Sequence, residues 1–96
     1  MRVTVSGYLK FRGFFGEGMS LDFDEEGTTL RHALEVLSER CGESFRNAVY
    51  DFATGDIKKP NVILVNGRPY ADFDKGLDRM LKDGDEIVLS TLMSGG

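Results

Sequence analysis

Reactive and metal-binding side chains are scarce in this sequence. Its 96 residues include one cysteine, Cys41, one histidine, His32, and no tryptophan. A single cysteine cannot close an internal disulfide, and neither a CxxC pair nor a His/Cys cluster offers metal-ligand spacing. Structural zinc is therefore excluded, and a reducing, cytoplasmic setting is expected. Long apolar runs are missing as well. No window approaches the ~20 apolar residues of a membrane span, and the first residues alternate charged and apolar side chains without the apolar core of a secretory leader. We expect no membrane partner. The stretch Gly13-Phe14-Phe15-Gly16-Glu17-Gly18 is rich in glycine but lacks the Gly-Lys-Ser/Thr ending of a phosphate loop, so no cofactor is expected on this chain itself. Lysine and arginine number 12 against 16 aspartates and glutamates, a net charge of −4 that disfavours nucleic acid and favours a basic protein partner. The same charge also serves plain solubility.

What is present is a set of periodic segments joined by turn signals. Val3, Val5, Gly7, Leu9 and Phe11 alternate with Thr4, Ser6, Tyr8 and Lys10, which predicts a half-buried first strand over residues 2–11. Gly7 in its middle predicts a bulge or a close backbone approach. After the glycine-rich break, alternation resumes at Met19, Leu21 and Phe23, so the first two strands are expected to form an antiparallel hairpin. Phe14 and Phe15 cannot both point inward from an extended chain; one packs as a satellite of the core or meets a partner. Thr28-Thr29 supplies a threonine N-cap. Leu30, Ala33, Leu34, Leu37 and Cys41 then follow one helical face, and Gly42 stands where a left-handed residue ends a helix. Cys41 falls on the buried face and His32 on the wet one, so neither is assigned chemistry.

Residues 43–59 carry only partial helical spacing, in Phe45, Val49 and Phe52, which predicts a short helix followed by a loop. Val62-Ile63-Leu64-Val65 is a continuous apolar strand ending in Asn66-Gly67. That dipeptide is the strongest short hairpin signal, because type I′ turns need positive φ at both central residues. Pro69 puts the return strand at a sheet edge. One helical turn over 76–81 and the turn Lys82-Asp83-Gly84-Asp85 lead into a last strand from Glu86 to Leu92. Two hairpins flanking one amphipathic helix predict an α+β fold of the β-grasp type: a mixed sheet of about four or five strands, with the first and last strands parallel and central. Leu30, Leu34 and Leu37 should pack on Val3, Val5, Leu21, Val65, Ile87 and Leu89.

The segment after this body has no fold pattern. Residues 1–92 read as the domain, and Met93-Ser94-Gly95-Gly96 as a flexible tail. Beyond Leu92 the tail spans about 13 Å when extended, enough to enter a partner's active site. Two glycines pass a channel too narrow for residues with a Cβ. A frayed end is the plain alternative. Alternation along the last strand sends Ile87 and Leu89 inward and leaves Val88 and Leu92 for the outer face. These two, with Met93 and Ser94 following and Phe73 or Phe14 completing an apolar patch, are the expected partner-binding residues.

Several segments taken together resemble a known family. Val62-Ile63-Leu64-Val65-Asn66-Gly67-Arg68, Gly76-Leu77, Leu81-Lys82-Asp83-Gly84-Asp85-Glu86-Ile87 and Ser94-Gly95-Gly96, with the helix that follows Gly27-Thr28-Thr29-Leu30, are similar to the ubiquitin-like sulfur carriers. That family includes the small subunit of molybdopterin synthase and the thiamine-pathway carrier. Many molybdopterin-type members have Pro-Pro before the tail, where this chain has Thr91-Leu92-Met93. The resemblance implies a non-enzymatic carrier. An ATP-dependent activating enzyme, an adenylyltransferase like those that activate ubiquitin, would adenylate the Gly96 carboxylate, with Gly95 behind it. Sulfur would then replace AMP to give a thiocarboxylate. The sulfur acceptor implied is the large subunit of molybdopterin synthase or its equivalent, and ATP belongs to the activating enzyme. Three alternatives share the fold: a modifier conjugated through Gly96, a thiamine-pathway carrier, and a β-grasp binding domain.

Overall fold

The computed structural model describes residues 1–24 and 27–91. Strand β1 (Arg2–Gly7) pairs antiparallel with β2 (Met19–Asp22), as the alternation predicts. The first strand is shorter than expected, however. It stops at Gly7, and the chain turns through a 3-10 turn at Leu9–Phe11 and a short helix α1 (Arg12–Phe15). Gly7 marks the close approach: a Cβ there would lie 2.7 Å from the Phe11 carbonyl carbon and 2.8 Å from a Phe15 ring carbon. Because of the turn, Leu9 is 49% exposed instead of facing inward, while Phe11 is fully buried.

Helix α2 (Leu30–Cys41) begins and ends where its caps predict. The Thr29 hydroxyl accepts from the His32 backbone N–H at 3.1 Å, and Gly42 at φ 87° ends the helix. Leu30, Ala33, Leu34 and Leu37 are fully buried; Cys41 is half-buried and packs against the core from its margin. Helix α3 (Glu43–Val49) follows at once, and a small hairpin of β3 (Tyr50–Asp51) and β4 (Asp56–Ile57) replaces the expected loop. Phe45 and Val49 enter the core, but Phe52, the third residue of the partial helical spacing, is 66% exposed at the hairpin's turn.

Strands β5 (Asn61–Val65) and β6 (Arg68–Pro69) make the Asn66-Gly67 hairpin, with φ of 52° and 84° at the two turn residues, the conformation a type I′ turn needs. Two 3-10 turns, Tyr70–Asp72 and Gly76–Asp78, lead to β7 (Glu86–Thr91). The five-stranded sheet runs β2-β1-β7-β5-β6, with β1 and β7 parallel and β7 in the centre, as expected. Its inner face, Val3, Val5, Leu21, Ile63, Val65, Ile87 and Leu89, packs on the apolar side of α2 in one core. The fold is therefore the expected β-grasp. No helix is long and apolar enough to cross a membrane among the described residues.

Candidate functional site

The central strand is held on both sides over residues 87–89 and on one side beyond them. β1 pairs with residues 86–89 of β7 and β5 with residues 87–91, so Thr91 stands opposite Asn61. Its start is tied by the turn before it. Asp85 is buried, and its carboxylate accepts from the Lys82 backbone N–H at 2.8 Å and from the Asn66 amide at 2.9 Å. The Asp85 carbonyl accepts from Thr4 N–H at 3.0 Å, and Asn66 in turn accepts from Glu86 N–H at 2.9 Å. Two turns and two strands thus fix the register of β7 before it reaches Thr91. Buried, hydrogen-bonded polar groups of this kind favour a single arrangement over slipped ones.

The outer face of the sheet follows from the same register. Val88 lies between Ser6 and Leu64, Leu64 lies next to Pro69, and Ser90 stands beside Val62. Val88 does face outward, but at 9% exposure its neighbours close it in. Much of the accessible apolar surface of this row belongs to the half-buried Val62 and Leu64 and to the exposed Pro69. The polar side of the face is a hollow of about 470 Å³ over β1 and β2, lined by Thr4, Ser6, Tyr8, Glu17, Ser20 and Glu86. At its far end Arg2 and Asp22 pair at 2.9 Å; their hydrogen bond pushes the Asp22 carboxyl below its ordinary range.

Two residues expected beside Val88 lie elsewhere. Phe14 is half-buried among aromatic rings, with its centroid 5.3 Å from Phe45 in an edge contact. It is core packing, because α1 folds it under the sheet where an extended loop would have left it free. Phe73 packs against the core from the segment after β6, with the guanidinium of Arg79 at 4.0 Å and that of Arg68 at 5.1 Å from its ring centroid. Such cation–π contacts hold the ring in place. Leu92, Met93, Ser94, Gly95 and Gly96, and with them the boundary at residue 92, lie outside the described residues.

Two residues not expected at the site stand at the outgoing end of β7. Tyr8 donates its N–H to the Leu89 carbonyl at 2.9 Å and is 57% exposed. Leu9 beside it is held at φ 58°, a left-handed conformation costing a residue with a Cβ about 1–2 kcal/mol. Leu9 is thus an exposed leucine kept in that conformation near the outgoing part of the central strand. Gly7 was the only available signal: a glycine ending the strand would have freed both residues from the alternation. Among the described residues no group of three or more His, Cys, Asp or Glu side chains could hold a metal ion.

A mixed sheet curled over one main helix, with its first and last strands parallel at the centre and an apolar outer face beside them, defines a ubiquitin-like fold. The ThiS family model matches residues 13–96, so the chain belongs to the ThiS family, the sulfur-carrier kinship that its segments suggested. No curated protein matches it. Among solved structures it is similar to a Pyrococcus furiosus protein assigned as molybdopterin converting factor subunit 1, at 26% identity and a TM-score of 0.69, covering 97% of this chain and 99% of that one. It is similar in fold to small archaeal modifier protein 1 of Methanosarcina acetivorans, with 22% identity, a TM-score of 0.78 and coverage of 99% and 96%. A chain in the BexX/CysO complex of Amycolatopsis orientalis also shares the fold, with 21% identity, a TM-score of 0.70 and coverage of 98% and 99%.

Proposed function

We propose that the chain is a cytoplasmic sulfur carrier in molybdopterin biosynthesis, activated at the Gly96 carboxylate by a partner enzyme that uses ATP. The observation that carries the reading is the family match over residues 13–96 together with a central strand paired on both sides through Leu89 and on the β5 side as far as Thr91. The likeness to the Pyrococcus furiosus protein supports the molybdopterin pathway.

The chemistry follows from what a carboxylate lacks. It is a poor electrophile until one oxygen becomes part of a good leaving group. The Gly96 carboxylate attacks the α-phosphorus of ATP and expels pyrophosphate, giving an acyl adenylate. Sulfide-level sulfur supplied by the partner then attacks the acyl carbon, the bond to AMP breaks, and the product released with AMP is the thiocarboxylate. Both steps need water excluded and the Gly96 carboxyl group held against its reaction partner, first the α-phosphorus and then the sulfur nucleophile, which the partner's site provides. This chain contributes reach and a rigid base for it, not a catalytic group. Leu64, Val62 and Pro69, with Tyr8 and Leu9 at the strand end, present the apolar centre of a docking face; Val88 supports it from beneath, and Leu92, Met93 and Ser94 lead from it into the partner. Gly95, without a Cβ, passes the narrow part of the channel. The sulfur acceptor is the large subunit of molybdopterin synthase or an equivalent.

Intact-mass analysis of the protein taken from its native cell tests the reading. A gain equal to the replacement of one oxygen by sulfur, located at Gly96, is expected. An unchanged mass accompanied by ladders of this chain on other proteins would overturn it in favour of a modifier. An unchanged mass with no ladders would leave a β-grasp binding domain.

A further inference from the structure

A second surface lies across the molecule's other layer, on α2 and the β3–β4 hairpin, where the carrier chemistry makes no use of it. The hairpin is built to hold its turn in place. The Asp51 carbonyl accepts from Gly55 N–H at 2.7 Å, its carboxylate accepts from Ala53 N–H at 2.9 Å, and the Thr54 hydroxyl accepts from Asp56 N–H at 3.3 Å. Its base is anchored to the body, since Lys58 donates its N–H to the Val49 carbonyl at 2.7 Å and the Asn61 amide donates to the Ala48 carbonyl at 2.6 Å. What this fixed turn presents is Phe52, at 66% the most exposed large apolar side chain among the described residues. An aromatic ring held in water on a short, well-tied hairpin is available to a partner as an apolar anchor.

Between Phe52 and α2 runs an open groove of about 460 Å³. Tyr50 and Phe52 supply its aromatic wall, and its charged lining is Arg31, Glu35, Glu39, Arg46 and Asp51. Arg31 is paired with Asp78 at 3.0 Å. That leaves Arg46 as the one uncompensated cation against the carboxylates of Glu35, Glu39 and Asp51, none of which has a lysine or arginine within ion-pair distance among the described residues. Glu35 has His32 at 3.9 Å and feels the charge of Arg31 on the same helix. The groove therefore combines exposed π faces with an excess of negative charge, the pairing that recognises a guanidinium or ammonium group with its apolar stem.

We propose that this groove docks a basic, arginine-bearing segment of a partner protein, with Phe52 and Tyr50 stacking on the cation and Glu35 and Glu39 accepting its hydrogen bonds. The surface is separate from the sheet's outer face, so a partner can hold the carrier here while the carboxyl-terminal end is engaged elsewhere. This docking stands independently of the chemistry at Gly96.

The test is a titration of the full, isotope-labelled chain by amide NMR with the peptide acetyl-Gly-Arg-Leu-Arg-Gly-amide, and with the same peptide carrying glutamate for arginine. The basic peptide should shift the amides of Glu35, Glu39, Tyr50 and Phe52, and the acidic one should not. Phe52→Ser and the double change Glu35→Lys with Glu39→Lys should each weaken the response about tenfold. The three substituted side chains are exposed, so unfolding midpoints measured alongside should stay where they are. Equal response to the two peptides, shifts confined to residues around Leu64 and Val88, an undiminished response in the variants, or no shift at millimolar peptide would each overturn the proposal.

Discussion

Val88 and Leu64 stand directly opposite each other on the outer face of the β5–β7 pair, and they differ in what they offer a partner. Val88 is closed in at 9% exposure, whereas Leu64 is half-open. The two positions should therefore respond differently to charge. Leu64→Arg should fold normally and lower the rate of activation by the cognate enzyme about tenfold or more, as loss of a central apolar contact does. Val88→Asp should fail earlier, in folding itself, because it puts a carboxylate into a site without a partner. Activation kinetics measured beside thermal unfolding separate the two. Full activation of a well-folded Leu64→Arg protein would move the dock away from this face.

Leu34 has no exposed surface and sits in the middle of the apolar side of α2, against the inner face of the sheet. Leu34→Ala should cost about 2–5 kcal/mol, a large share of a small domain's stability. Denaturant unfolding checks it. A loss below half of the lower figure would mean that the helix does not rest on the sheet in this way.

Cys41 ends α2 at the margin of the core, its sulfur 3.9 Å from the Phe14 carbonyl oxygen. Burial pushes its thiol pKa up, and the nearby Arg40 only partly opposes this. A raised pKa means less thiolate at a given pH, so alkylation by iodoacetamide at pH 8 should be slower than for an unfolded copy of the same chain. The rate should climb further as pH rises past the ordinary thiol range. A folded protein that reacts as fast as the unfolded one would contradict the half-buried position.

Much of the fold was legible because its main segments bury one face at a fixed period. The alternation in β1 and β2, the continuous run in β5 and the spacing of Leu30, Ala33, Leu34 and Leu37 each state which side is dry. The Asn66-Gly67 and Thr29 signals worked for a local reason, since a turn or cap is decided within four residues. What was missed lacks such a period. Strands β3 and β4 have two residues each, too few to alternate. Leu9 fitted the pattern of a strand that Gly7 had already ended, and only the close approach of Phe11 and Phe15 explains why the chain turns there. Phe14 and Phe73 were placed by long-range contacts, with Phe45 for one and with Arg68 and Arg79 for the other, and no local pattern encodes those. At the site, the direction of Val88 was readable from alternation; its closure by Ser6 and Leu64 depended on the order of strands.

The carrier reading rests on Gly96 being the acyl donor, and ATP–pyrophosphate exchange catalysed by the cognate activating enzyme tests this most directly. Removing Gly96 sets the carboxylate back by about 3.5 Å, and a misplacement of even 1 Å can cost about 100-fold. The full chain should support exchange, and the chain lacking Gly96 should lose it about 100-fold or more while unfolding at the same temperature. Exchange at the full rate without Gly96 would contradict the account.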